Sequence, residues 1–169
     1  AIIRSMTFLR FAAFLGLAAW VGGLAVLAGL GAPALFDVLA VRDPSGGREL
    51  AGVLFGEMFE RFQYVAWGAA AVLLMSLAFR AALGPRPRHT AIRIWTVVAM
   101  VAMSLVTTFV IIPHIDAIRL AVEGAVASLP ATDLRRIEFG RWHALSSGLM
   151  LATICFGLGL AWAEIHDQH

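Results

Sequence analysis

The chain contains no lysine, a single cysteine and few charges of any kind. All 13 basic residues are arginine. That bias has two readings: guanidinium forks suited to lipid phosphates, or an alanine- and arginine-rich coding bias. Cys155 stands alone, so an intramolecular disulfide is excluded and a small packing residue is expected. There is no paired cysteine, no HExxH and no methionine-rich loop, which removes the recognised metal signatures. Charged residues make up 14% of the chain, hydrophobic residues 60%, and the mean hydropathy is +0.84. A soluble globule carries about 25% charged residues, so that class is excluded. Nothing resembles a nucleotide-binding loop or a nucleic-acid surface.

What the chain has instead is long apolar runs. Residues 11–35, 62–79, 94–112 and 144–163 carry no Asp, Glu, Lys or Arg. The hydrocarbon core of a bilayer is about 30 Å thick, which roughly 20 helical residues cross. Lipid offers no partner to backbone N–H and C=O groups, so only helices and closed barrels span it. These unbroken runs lack the alternation of barrel strands. The expected fold is therefore all-α: residues 1–169 form a single integral membrane four-helix bundle in the lipid bilayer.

The first run follows Arg4 and Arg10 and is longer than the roughly 7 to 15 apolar residues of a secretion signal, so it is read as a mature helix. The connection 80–93 holds Arg80, Arg86, Arg88 and Arg93 without an acid, whereas the arginines of the other two connections are interleaved with acids. Applied to that density, the positive-inside rule places both termini and the 80–93 connection in the cytoplasm of a bacterial inner membrane.

Helix one is glycine-rich around Trp20, and Ala19, Gly22 and Gly23 invite close approach of a neighbour. Pro33 is expected to kink or loosen the last turn of that helix, before Phe36 and Asp37. "DPSGG" from Asp43 reads as a turn. The helical pattern from Arg48 either lies at the interface or extends helix two outward. Thr132 or Asp133 caps a helix that starts near Leu134 and runs into helix four. Outer-side extensions of helices two, three and four follow. Trp20 and Trp67 are expected to pack, as are Met100 and Met103, while Trp95, Trp142 and Trp162 suit an interfacial belt.

This topology gathers Asp37, Glu57, Glu60, Gln63, His114, Asp116, Glu138, Arg141 and His143 at one end. Ionisable groups beside apolar spans mark functional sites by default. His114 leaves helix three and His143 opens helix four, so a hairpin can bring two imidazoles together as metal ligands, with Glu57 or Asp116 completing the shell. The bland alternative is interfacial histidines that pack and hydrogen-bond. His143, Ser146 and Ser147 share one helical face, but no nucleophile-elbow glycines surround the serines.

The run "FGRWHALSSGLMLATICFGLGLAWAEI" resembles the final-helix signature of the transmembrane protein 205-like family, and "AAWVGGLAVLAGLGAPALFDVL" is similar to the first helix of its bacterial members. Those members form a four-helix domain of unknown function. The resemblance implies fold and membrane residence. It singles out Arg141, His143, Ser146 and Ser147 as family residues, with Trp20, Pro33 and Phe36 as a weaker first-helix match. The eukaryotic relative is linked to platinum-drug resistance, and the wider architecture is similar to copper-resistance D-type and haem-linked protoporphyrinogen oxidase membrane proteins. Those two use histidines in early helices, and this chain has none in its first run.

The expected function is that of a membrane protein without catalytic activity of its own. It acts as an accessory subunit beside other membrane subunits or copies of itself, or handles a metal or small solute. The alternative is a haem b or copper redox protein with His114 and His143 as ligands.

Overall fold

The computed structural model describes residues 2–83, 89–122 and 124–166, with side chains from Thr7 onward. Arg86 and Arg88 lie outside the described residues, as does the side chain of Arg4. The described chain is nearly all helix, without strands. Helix α1 (Ile2–Val26) passes through a π-helical turn, Leu27–Gly31, into α2 (Ala32–Arg42). Helix α3 (Gly47–Leu83) is unbroken, so the pattern from Arg48 continues helix two rather than forming a separate interfacial segment. Helix α4 (Thr90–Val106) runs through a second π-helical turn, Thr107–Ile111, into α5 (Ile112–Leu120). After a 3-10 turn at Val126–Ser128, α6 (Leu134–His166) completes the fold. Four rods, Thr7–Arg42, Gly47–Leu83, Thr90–Leu120 and Leu134–His166, are long and apolar enough to cross a membrane.

Each rod packs on the one before and the one after it, and the first meets the last: α1 on α3, α3 on α4, α4 on α6 and α6 on α1. The result is an up-down-up-down square bundle. Its core holds Leu17, Trp20, Leu24, Ala66, Leu73, Val97, Met100 and Leu160. The outside is as apolar as the inside, with Phe14, Leu30, Met75, Phe109, Leu151 and Phe156 exposed. In water such a surface would drive aggregation; in lipid it is the solvated face. Trp95 and Trp162 are exposed and Trp142 is half-buried, as an interfacial belt requires.

Small residues set the closest approaches. A side chain at Gly23 would run into the Phe62 ring, and one at Gly157 into Val21, which seats α6 on α1. Gly22 faces open space, so only one of the paired glycines serves packing. Between α3 and α4, the Trp67 indole N–H donates to Ser104 Oγ (3.0 Å), whose hydroxyl donates to Gln63 Oε1 (2.8 Å). Gln63 and Ser104 are buried, and pairing them avoids the cost of a lone polar group there.

The two π-helical turns share a cause. Ala32 N–H donates to Leu27 C=O and Ile112 N–H to Thr107 C=O, five residues back, and the next residue in each case is a proline. Proline has no N–H, and its ring crowds the carbonyl four residues before it; a wider turn upstream moves that carbonyl aside. Pro33 therefore loosens the turn before it, and the helix then continues to Arg42 rather than ending near Leu35.

At the end opposite those turns, Glu164 of α6 joins three helices. Arg80 Nη1 of α3 donates to both Glu164 oxygens (3.0 and 2.9 Å), and Arg93 Nη1 of α4 donates to Oε1 (2.6 Å). Arg93 Nη2 also donates to Ala163 O (2.9 Å). The two arginine side chains are 3% and 5% exposed, so these charges have exchanged water for one another. In the sequence Arg80 and Arg93 read as topology signals; in the fold they are buried ion-pair partners.

The turns at the other end are held by carboxylates. Asp43 accepts from the Ser45 hydroxyl (2.6 Å) and from the Ser45 and Gly46 N–H groups, and these bonds hold its carboxyl below the ordinary carboxylate value. Gly47 follows because a side chain there would strike the Leu39 carbonyl. Asp133 caps α6 as the sequence indicated: it accepts from the Arg135 side chain (2.9 and 3.2 Å) and from the Arg135 N–H (2.8 Å), and the guanidinium first, then the amide, lowers its carboxyl.

Two outcomes are expected. Removing one member of a buried ion pair leaves the others uncompensated at a cost of about 3 to 5 kcal/mol. Glu164→Ala should thus lower the thermal unfolding temperature in detergent sharply, whereas a triple change of Arg80, Arg93 and Glu164 to Met should restore most of the loss. A Glu164→Ala protein as stable as wild type would show that the cluster does not hold the helices. Because the folded Asp133 carboxyl is lowered, its cap is fully present above the ordinary value of about 4 and is lost as pH falls through the lower folded value. The Arg135 amide resonance should titrate with a midpoint below about 4 and cease to titrate in Asp133→Asn; a midpoint at or above that value would contradict the capping geometry.

Candidate functional site

The π-helical turns change which side chains face inward beyond them. On the first rod Ala28, Ala32 and Phe36, at four-residue spacing, turn to one side; on the third Ile112, Ile115, Asp116 and Arg119 do the same. Between these stretches, the first part of α3 and the upper part of α6, the bundle opens into a cleft of about 480 Å³. Small-molecule sites run from about 300 to 1,000 Å³.

The apolar lining of the cleft comes from all four rods, with Ala28, Phe36, Val53, Phe55, Ile112 and Met150. The polar groups come from three helices. Helix α3 gives Glu57 and Glu60, α5 gives Asp116 and Arg119, and α6 gives His143, Ser146 and Ser147. Glu57 and Glu60 are one turn apart and both exposed. Glu57 also meets Arg61 at 3.5 Å, an exposed pair that contributes little.

Arg119 is the most enclosed charge of the cleft, with its side chain 20% exposed. It lies over α3 at Gly52, where an added Cβ would stand 2.6 Å from Nη2. Its guanidinium is 5.6 Å from the Phe139 ring centroid and its Nη1 donates to Asp116 Oδ1 at 3.5 Å. In the sequence Arg119 is one of the acid-interleaved arginines of the connection after the third apolar run. The available signal was its position three residues after Asp116, opposite glycines 52 and 56 that clear one stripe of α3.

The cleft gathers Glu57, Asp116, His143, Ser146 and Ser147, as well as Glu60, and leaves others apart. The His114 ring lies against Trp142 (centroids 4.6 Å), its Nδ1 is 2.7 Å from Val110 O, and it does not line the cleft. The His143 ring stacks on Phe139 at 6.0 Å. The two imidazoles thus have different ring neighbours, Trp142 for His114 and Phe139 for His143. No three His, Cys, Asp or Glu side chains among the described residues form a metal-holding group. Arg141 and Pro33 are exposed, and Gln63 and Trp20 are buried below the cleft.

Beneath the cleft, past Phe59 and Met150, Gln63, Ser104, Thr107 and Thr153 line a much smaller void beside Trp20. The Thr107 and Thr153 hydroxyls bond back to the carbonyls of Met103 and Leu149. The floor is thus polar but internally satisfied.

No curated protein and no solved structure matches the chain. Residues 15–124 match a family described as "Domain of unknown function (DUF4149)". The match runs from α1 through α5, taking in both π-helical turns, Glu57, Glu60, Asp116 and Arg119, and stops short of His143, Ser146 and Ser147 on α6. It covers more than half of the chain, which therefore belongs to the DUF4149 family of proteins whose function is unknown.

Proposed function

We propose that this membrane protein binds and handles a small amphipathic solute in the cleft between α2, α3, α5 and α6, without catalysing a reaction on it. The observation that carries this reading is the pairing, in one opening, of an apolar lining with a few convergent polar groups, in a volume within the range of small-molecule sites. Enclosed charges such as Arg119 beside membrane spans have a cost that a binding role would justify. The accompanying orientation puts both termini and the Arg80–Arg93 connection in the cytoplasm of a bacterial inner membrane and the cleft outside, supported by the arginine density of that connection. The resemblance to transmembrane protein 205-like proteins, one of which is linked to drug resistance, agrees with solute handling. An accessory role with other membrane subunits would use the outer face of α6, where Leu151, Phe156 and Leu158 are exposed.

A cleft-filling substitution tests the reading. An added Cβ at Gly56 meets nothing within 4 Å, so a larger side chain can enter the cleft there without disturbing the backbone. Native mass spectrometry of detergent-purified protein, equilibrated with a defined phospholipid mixture, should show bound amphiphile on wild type. Gly56→Phe should retain about tenfold less, equivalent to about 1.4 kcal/mol, while unfolding at the same temperature. Equal retention by the two proteins would refute a binding role for the cleft.

A further inference from the structure

We infer that the cleft recognises a zwitterionic phosphoamine amphiphile, with its phosphate at Arg119 and the α6 hydroxyls and its ammonium at Glu57 and Glu60; this rests on the solute-binding reading above. The polar groups are sorted by wall. Of the three carboxylates, Glu57 and Glu60 stand on α3 and Asp116 stands on α5 beside Arg119, whereas the imidazole and both hydroxyls stand on α6. A purely cationic ligand would leave Arg119 facing it, and a purely anionic one would meet Glu57 and Glu60. Only a ligand with both charges satisfies both walls.

Arg119 is built as an anion receptor. A guanidinium has five N–H donors in a planar fork that matches phosphate oxygens. Its one hydrogen bond among the described residues goes to Asp116 at 3.5 Å, well beyond the about 2.7–2.9 Å of a strong charge-assisted bond. The guanidinium is nevertheless held in place, by the bare backbone at Gly52 and the ring of Phe139. His143, Ser146 and Ser147 recur at i, i+3 and i+4, so an imidazole and two hydroxyls face the same cleft and can donate to the remaining phosphate oxygens.

The carboxylates are spaced to match. Along α3, Glu57 lies five residues past Gly52, where the guanidinium rests, a rise of about 7.5 Å. Glu60 lies eight residues past Gly52, a rise of about 12 Å, so the α3 carboxylates stand beyond the guanidinium along the cleft, on the side an amine tethered to a bound phosphate would face. Asp116 sits beside Arg119 at 3.5 Å and offsets part of its charge, as Arg61 does for Glu57 at the same distance; both pairs are solvent-accessible and weak enough to yield to a ligand, and Glu60 adds a second carboxylate for the ammonium. The apolar lining from Ala28 to Phe36 and from Ile112 to Ile115 then takes hydrocarbon.

Phosphatidylethanolamine and phosphatidylglycerol with identical acyl chains, presented as an equimolar mixture, discriminate the idea. By native mass spectrometry wild type should retain phosphatidylethanolamine about tenfold over phosphatidylglycerol, a difference of about 1.4 kcal/mol. The double change Glu57→Gln and Glu60→Gln should erase that preference while leaving phosphatidylglycerol bound, and Arg119→Gln should weaken both lipids; thermal unfolding of each variant controls for folding. Displacement of bound lipid by free phosphoethanolamine would assign recognition to the headgroup alone, and resistance to it would assign the intact lipid. Equal retention of the two lipids by wild type, or a preference that survives in the double variant, overturns the inference. Retention that Gly56→Phe abolishes but that ignores the headgroup sinks only this inference, whereas retention untouched by Gly56→Phe sinks the cleft reading as well.

Discussion

Glu164 is the point on which the bundle turns. A membrane helix gains little from burying apolar surface against another helix, since lipid tails are as apolar as leucine. Specific packing and polar contacts must then fix how the rods sit. One carboxylate bound by arginines from two other helices, Arg80 and Arg93, ties α3, α4 and α6 at a single level. Through the small residues Gly23 and Gly157, α1 closes against α3 and α6. With that end fixed, the opposite end can part around the two proline-bearing rods without the assembly losing register.

The cost of such a cluster shapes what it can do. Buried ion pairs are no more stabilising than well-packed apolar residues, but they tolerate no missing partner. Their contribution here is selection: rotating α6 would separate Glu164 from Arg80 and Arg93 and leave both guanidinium groups buried without it. The chain from Trp67 through Ser104 to Gln63 acts in the same way between α3 and α4, at a level where a mispaired side chain would find no water.

Much of this was legible in the residues. Four uncharged runs and the rule that lipid leaves no backbone group unpaired lead directly to four helices, and Asp133 before Leu134 locates the start of α6. The site was harder. The sequence placed Glu57, Asp116, His143 and the two serines at one end, and the cleft collects them, but His114, two residues before Asp116, goes to Trp142 instead. The π-helical turn at Thr107–Ile111 sets that outcome, because widening one turn rotates everything after it and hydrophobic periodicity alone does not register the slip. Arg80, Arg93 and Arg119 were hidden for another reason. Arginine near a span end is so well explained by topology that its pairing shows only when the rods are brought together. For Arg80 and Arg93 the signal was Glu164, an acid set at the end of the fourth apolar run on the arginine-rich side.

The two proline-linked turns also reveal a repeated plan. Each half of the chain is a rod with a widened turn before a proline, followed by a straight rod, and the halves lie across the bundle from one another. No matching sequence accompanies this likeness, so backbone architecture is shared while the decoration differs: acids on the straight rod of the first half, an imidazole and hydroxyls on that of the second. Parallel repeats about an axis along the membrane normal are a common way to frame a binding site. On the reading proposed above, the divergence of side chains between the two straight rods would give the cleft unlike sides, so that a guest with two unlike ends would be held in one direction only.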